Sequence, residues 1–439
     1  MRFGILATMA AMVCLLAYAT PSARADELKM VIILSRHGVR APLQTPEKLA
    51  PYAAQPWPKW EVAPGIQTPR GDELIGLMGA YYKARFQKEG LLTGNPALDG
   101  PLIYLRADND ERTIATATII GKALGAPSDV DAHAAPEGKE DPLFRPFKAK
   151  VGKPNFDMAS AAILGRVGGS LSNLDRAYAI QYAELNTVLF GPNANPGQIY
   201  IASGESSIET GSGSYLTTAK GPLLVAEKCI DAFILEYCDN KPMSDVGWGR
   251  LDGKTLTDLL ALHEAFFDLA GRTFYVAQVE GSNLASHIVD TLEQGAQADS
   301  VPGAIGPSGE KILVLGAHDS NIAEVGGLFG MNWVVPGTQM NPLLPGGALV
   351  FELWKRGEAP GSFFVRTSYV CQTLEQLRSA TPLSLDNPPA LAPIFIPGCG
   401  GVAPDFETPL ASFVRQARKV IDPAFIAPEE AAFANAPVQ

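Results

Sequence analysis

Two short runs bring together residue types that can hold and attack phosphorus. Ser35-Arg36-His37-Gly38-Val39-Arg40-Ala41-Pro42 sets one histidine between two arginines. Guanidinium groups meet phosphoryl oxygens in a planar, bidentate fit. Burying two of them is costly unless an anion sits between. An imidazole held against the same phosphorus has the role of nucleophile, and Gly38 lets the backbone come close. The second run, Gly316-Ala317-His318-Asp319-Ser320-Asn321, puts a histidine beside a carboxylate. Expelling an alkoxide needs a proton, and a carboxyl close to bound phosphate keeps its proton more readily. Asp319 fits that donor, and His318 can hydrogen-bond a phosphoryl oxygen. Asp110-Glu111-Arg112-Thr113 is a third candidate: Arg112 supplies another guanidinium at a helix start, where free amides also favour anions. Glu111 is expected to orient an arginine.

These runs need strand ends to carry them. Lys29–Ser35 (KMVIILS) is almost continuously apolar, as a strand covered on both faces should be, and Lys311–Gly316 (KILVLG) is a second such strand. Both chemical runs follow directly, at the carboxyl ends where open α/β sheets bind ligands. Further strands are expected at 103–105, 198–202, 347–354 and 363–370, the last two antiparallel. Helices are expected from Gly71 and over 111–124, so strands and helices alternate as in an α/β sandwich. Residues 125–154 read as a long loop. Helical patterns then cover 159–189, 216–237, 255–270 and 283–293, and 203–214 (SGESSIETGSGS) reads as a loop near the cleft. The expected organisation is an export signal over 1–25, an α/β domain from 26–124 and 296–439, and a mainly α-helical insertion over 125–295.

The chain has 439 residues and a formal charge of −11, which excludes a general nucleic-acid-coating surface but not a small anion held by a local arginine cluster. Arg2, the apolar run to Ala19 and Ala23-Arg24-Ala25 form a cleavable secretory signal. Without a second long apolar stretch, no membrane partner is expected after cleavage, and the chain is expected in the periplasm or outside the cell as a monomer or weak dimer. Four cysteines remain, Cys229, Cys238, Cys371 and Cys399. In an oxidising compartment they predict disulfides. Three pairings are open: Cys229 and Cys238 stand about 13 Å apart along a straight helix and can pair only if the helix ends between them, and Cys371–Cys399 is the preferred single bridge. The five histidines show no zinc spacing, and no HExxH, CxxC, phosphate loop or nucleophile elbow occurs, so neither metal nor cofactor is expected.

SRHGVRAP at 35–42, the His318-Asp319 pair and DNDERT at 108–113 resemble the histidine acid phosphatases, a branch of the phosphoglycerate-mutase-like fold. The similarity extends to TPRGDEL at 68–74, GWGRL at 247–251 and NPLLPGGALVFELW at 341–354, and looks nearest to bacterial periplasmic phytases and glucose-1-phosphatases. The resemblance implies a three-layer α/β/α domain with a smaller α domain and the cleft between them. It implies His37 as the phosphohistidine, Asp319 as proton donor, and Arg36, Arg40, Arg112 and His318 around the phosphoryl group. The substrate expected is a small phosphate monoester: phytate (myo-inositol hexakisphosphate), a sugar phosphate, or glucose 1-phosphate alone as the narrower alternative. Leu43 and Gln44 stand where phytases carry Thr and Lys, and form the substrate wall. A binding protein would need the arginines but neither His37 nor Asp319, and a mutase of the same fold would need no export signal.

Overall fold

The structure is a computed structural model describing residues 26–191, 201, 204–211, 215–297, 299–357, 359 and 362–428. The expected export signal and nearly all of the strand expected at 198–202 lie outside the described residues.

Nine strands are described: β1 (Glu27–Arg36), β2 (Ile103–Ala107), β3 (Ser207–Thr210), β4 (Thr217–Lys220), β5 (Ile312–Ala317), β6 (Ala348–Lys355), β7 (Phe363–Cys371), β8 (Ala390–Pro393) and β9 (Thr408–Pro409). The main sheet runs β2-β5-β1-β6-β7-β8, with β9 on β7. β2, β5 and β1 are mutually parallel, while β6, β7 and β8 continue antiparallel. Before β5 come α1 (Pro46–Leu49), α2 (Pro69–Lys88), α3 (Pro96–Asp99), α4 (Glu111–Leu124), α5 (Phe156–Arg166), α6 (Ser172–Ala177), α7 (Ala179–Phe190), α8 (Pro222–Cys238), α9 (Gly253–Ala270) and α10 (Phe274–Gln297). α11 (Asp319–Leu328), α12 (Leu374–Ser379) and α13 (Leu410–Val420) follow β5.

The apolar run of β1 is explained by burial on two sides. Val31 and Ile33 pack with Val314, with Ile75 and Met78 of α2, and with Ile120 of α4. Ile32 and Leu34 point the other way, into a core shared with Ile288 of α10, Ile322 of α11 and Phe413 of α13. Each such fully buried aliphatic side chain contributes about 1.5–3 kcal/mol. The result is three layers, helix on sheet on helix. Register sets the site: Arg36 lies opposite Ala317, and Ala107 opposite Gly316. Three parallel strands therefore end level, and the next residues, His37, His318 and Asp108, emerge along one edge.

Local chemistry sets the element boundaries. Thr68 caps α2 by accepting from the Gly71 N–H at 3.0 Å, with Pro69 opening the helix. The helix expected from 216 starts later. Residues 217–220 form β4, paired antiparallel with β3, and Gly221 (φ +76°) and Pro222 then begin α8. The run 159–189 is three helices rather than one, interrupted by Gly168 and Gly169, both at positive φ, and at Tyr178. α10 begins nine residues earlier than the predicted 283, because its first turns pack on the small core of α5.

The expected disulfide is absent: all four cysteines are free thiols, and all are buried. Cys371 ends β7 opposite Ala390, and the chain then runs along β8 away from it, Ile394 already bonding Thr367. Four strand residues carry the chain about 13 Å from Cys371 by Ile394, and Cys399 follows five residues later. Cys399 instead lies 3.9 Å from the Ser412 carbonyl.

α4 approaches the sheet closely at Gly316, where an added Cβ would stand 2.2 Å from the Thr113 carbonyl oxygen. Gly316→Ala is expected to push α4 off β5 and lower the unfolding free energy by about 2–3 kcal/mol. Urea denaturation checks this, and an unchanged midpoint would contradict it.

Candidate active site

His37 leaves β1 with its backbone N–H on the Ala317 carbonyl, which ties the two strand ends together. The Gly38 N–H is held by Gln67 Oε1 and Thr116 Oγ1, both at 3.0 Å, and a Cβ on Gly38 would strike Gln67 and Ile75 at 2.8 Å. The loop is thus locked. His37 Nδ1 lies 2.9 Å from the Gly38 carbonyl oxygen. A carbonyl only accepts, so Nδ1 carries the proton and Nε2 carries the lone pair. Burial, then the charges of Arg112, Arg40 and Arg36, hold the His37 pKa well below its usual value, so that lone pair persists in acid.

Arg36, Arg40 and Arg112 are all buried. Arg36 Nη1 donates to the Leu343 carbonyl, and Nη2 lies 3.1 Å from Asp319 and 3.4 Å from Asp231. Arg40 Nη2 pairs with Asp231 at 3.2 Å, and Arg112 Nη2 with Asp110 at 2.7 Å. The Nε–H groups of all three arginines are buried and bond to none of the described residues. Unpaired buried donors are costly, and three around one histidine form a receptor for an anion. Asp319 begins α11, immediately after His318. Burial raises its pKa, but Arg36 and then Arg40 outweigh that and hold the carboxyl below its ordinary range.

The ring of His318 meets that of His37 edge-on, centroids 5.7 Å apart. Its Nε2 lies 2.7 Å from Asp108 Oδ2, so that nitrogen donates to the carboxylate. Arg145 Nε donates to the same oxygen at 2.6 Å, and its Nη2 bonds Asp110. Asp108, Asp110 and His318 bring possible ligand atoms within 4.8 Å of one another. Arg145 already supplies the cation there, with Nη2 3.2 Å from His318 Nε2, so the cluster is an ion-pair network.

Every residue expected from the sequence lies in this region. Leu43 and Gln44 line the cleft with Arg40 and Asp319. Glu111 does not orient an arginine: it accepts the Gln67 N–H at 3.0 Å, and Asp110 pairs with Arg112 instead. Within 203–214 the described residues form β3 and its approach, while Tyr215, Thr217 and Thr218 just beyond reach the cleft. The sequence reading missed Asp231, Asp108 and Arg145. Asp108 directly follows β2, so the strand-end argument that found His318 applies to it equally.

The sequence pattern of the histidine phosphatase superfamily (branch 2) matches residues 27–160 and 179–370. The chain belongs to this family. Among histidine phosphatases it is 34% identical to phytase AppA of Escherichia coli (strain K12) over 85% of this chain and 87% of that protein. It is 28% identical to a glucose-1-phosphatase of Providencia rettgeri over the same shares. The Hafnia alvei phytase in complex with tartrate superposes with a TM-score of 0.84 at 34% identity, covering 92% of this chain and 99% of that one. The mixed α/β architecture is that of these histidine phosphatases.

Burial pushes the Asp108 pKa up, but bonds to His318 and Arg145 outweigh it and hold the carboxyl well below its usual range. A depressed folded pKa stabilises above the unfolded value near 4, and that stability is lost as pH falls below it. Asp108→Asn is therefore expected to cost about 3 kcal/mol at neutral pH. The gap between the urea midpoints of variant and wild type should be constant above about pH 5 and begin to narrow only as pH falls below about 4, because the folded carboxyl holds its charge well below that value; a gap that widens below about pH 4 would contradict the account.

Proposed function

We propose that the protein hydrolyses phosphate monoesters through a phosphohistidine on His37. The observation that carries this reading is the His37 Nε2 lone pair in the field of three buried arginines whose Nε–H groups have no partner among the described residues. The phosphoryl group occupies the space among Arg36, Arg40 and Arg112. His37 Nε2 forms a bond to phosphorus as the ester P–O bond breaks, and Asp319 gives its proton to the departing alkoxide, releasing the alcohol. Water then attacks phosphorus, the P–N bond breaks, and the Asp319 carboxylate takes the water's proton, releasing phosphate.

The ion pairs of the phosphate-free site support the proton's timing. Arg36 holds Asp319 ionised at 3.1 Å. A phosphoryl dianion competes for Arg36 and Arg40, removes that compensation and raises the Asp319 pKa, so the acid is charged by substrate binding. His318 has committed its Nε2 proton to Asp108. Asp108 and Arg145 hold the ring in position. The arginines supply the charge that a metal supplies in metallophosphatases, so treatment with a chelator should leave turnover intact.

The relatives' names bring phytate and glucose 1-phosphate to the substrate panel. Leu43 and Gln44 form the wall that meets the leaving group. The division into a 26–124 plus 296–439 α/β domain and a 125–295 insertion, with the cleft between, belongs to the same proposal. So does export to the periplasm directed by residues 1–25. No helix among the described residues is long and apolar enough to cross a membrane.

His37→Ala should abolish turnover of every monoester and leave no acid-labile phosphoenzyme; steady turnover in that variant would sink the covalent scheme. Asp319→Asn should still bind phosphate. It should lose about 10²–10⁴-fold in kcat on glucose 1-phosphate but far less on an aryl phosphate, whose leaving oxygen needs little protonation. With aryl phosphate, wild type should keep its activity as pH falls through the ordinary histidine range, because burial and the three arginines hold the His37 pKa well below it. Equal losses on the two substrates would remove Asp319 from the role of acid.

A further inference from the structure

Helix α8 presents a stripe of four residues to the cleft. Leu224, Glu227, Lys228 and Asp231 recur at i, i+3, i+4 and i+7, one face of a helix, and all line the cavity that opens from Arg40 and Asp319. Asp231, at the inner end, is paired with Arg36 and Arg40. Glu227 lies one turn, about 5.4 Å, further out, and the ion pairs of the described residues do not include it. Leu43 and Gln44 line the same cavity. Glu280 and Glu324 also line it, and beyond Arg40 its one cation among the described residues is Lys228.

This wall has a chemical preference. With the phosphoryl group on the arginines, the alcohol projects past Asp319 along the stripe. A neutral hydroxyl donates well to a carboxylate, whereas a second phosphate would stand among Glu227, Glu280 and Glu324 with one lysine to offset them. We propose that Glu227 selects the leaving group, so that the enzyme favours monophosphates of uncharged, hydroxyl-bearing rings, sugars or polyols, over rings carrying further phosphates. The proposal rests on the His37–Asp319 reading, which fixes the end at which the alcohol sits.

Burial, then the charges of Asp231 on the same helix and Asp319 on α11, push the Glu227 pKa up to about 7, against His263 on α9 and Arg40 after β1. Glu227 is therefore a carboxylate above neutrality and a neutral acid well below it, which gives the test a second axis.

The test compares kcat/KM of wild type and Glu227→Gln for glucose 1-phosphate, inositol hexakisphosphate and 4-nitrophenyl phosphate at pH 8 and pH 5. At pH 8, Glu227→Gln should raise kcat/KM for inositol hexakisphosphate about 5-fold and lower that for glucose 1-phosphate about 5-fold, both mainly through KM. The aryl phosphate, with no hydroxyl or second phosphate for Glu227 to meet, should change less than about 2-fold and reports an intact site. At pH 5 wild type and variant should converge, which a merely structural role would not produce. Glu227→Ala, with a thermal melt to verify folding, should move the substrate ratio the same way. An unchanged ratio at pH 8 with aryl turnover intact overturns the proposal. A wild type that turns over none of the three substrates defeats the phosphatase reading beneath it.

Discussion

Buried like charge is the constraint around which this molecule is organised. Arg36, Arg40 and Arg112 converge on one histidine away from bulk water, and their mutual repulsion must be balanced while no substrate is bound. The fold balances it with carboxylates drawn from separate elements: Asp231 from α8, Asp319 from α11 and Asp110 from the loop before α4. None of these pairings uses all of a guanidinium's donors, and the Nε–H groups stay open. The site is neutralised enough to fold and unsatisfied enough to bind an anion. The level ends of β2, β5 and β1 deliver two of the contributing loops and Asp108, so sheet register and electrostatics are one problem.

The parts legible in the sequence were those whose physics is local or periodic. Two-sided burial writes a continuous apolar run, which located β1 and β5 to within a residue or two and with them His37, His318 and Asp319. α4 matched its expected bounds because Gly125 closes it at a φ of 124°. The missed residues act through distant partners. Arg145 sits in a stretch rich in Gly, Pro and Ala, where nothing periodic marks an arginine as buried, yet it meets Asp108, 37 positions earlier. Asp231 reads as one of four charged residues in a mostly apolar helix, and its partners lie more than 190 residues away. The β3–β4 hairpin is two four-residue strands, too short for alternation to show against flanking helix. The disulfide expectation followed from compartment chemistry and cysteine count, neither of which knows that β8 leads the chain away from Cys371.

α8 divides its labour along its length. Its Asp231 turn pairs with Arg36 and Arg40, its Glu227 turn lines the cavity beyond them, and its opposite face supplies Ala226, Cys229 and Phe233 to the core. In the proposed reading, the grip on phosphate and the preference for the leaving group thus fall on adjacent turns of one rigid element.

α10 has a different kind of consequence. Its first turns, Val276 and Val279, lie in the small core with α5. Its later turns, Ile288 and Leu292, lie in the core beneath the main sheet. One unbroken helix of 24 residues therefore joins the two cores like a strut. Opening the cleft as a jaw would require kinking that strut and breaking several of its backbone hydrogen bonds at once. Traffic through the cleft is left to side chains at its mouth, where Leu43 and Tyr215 are each about half exposed. Such rotations take picoseconds to nanoseconds, whereas domain closure takes microseconds to milliseconds. While the strut stays straight, passage through the cleft follows the timescale of these side chains and not that of a hinged lid.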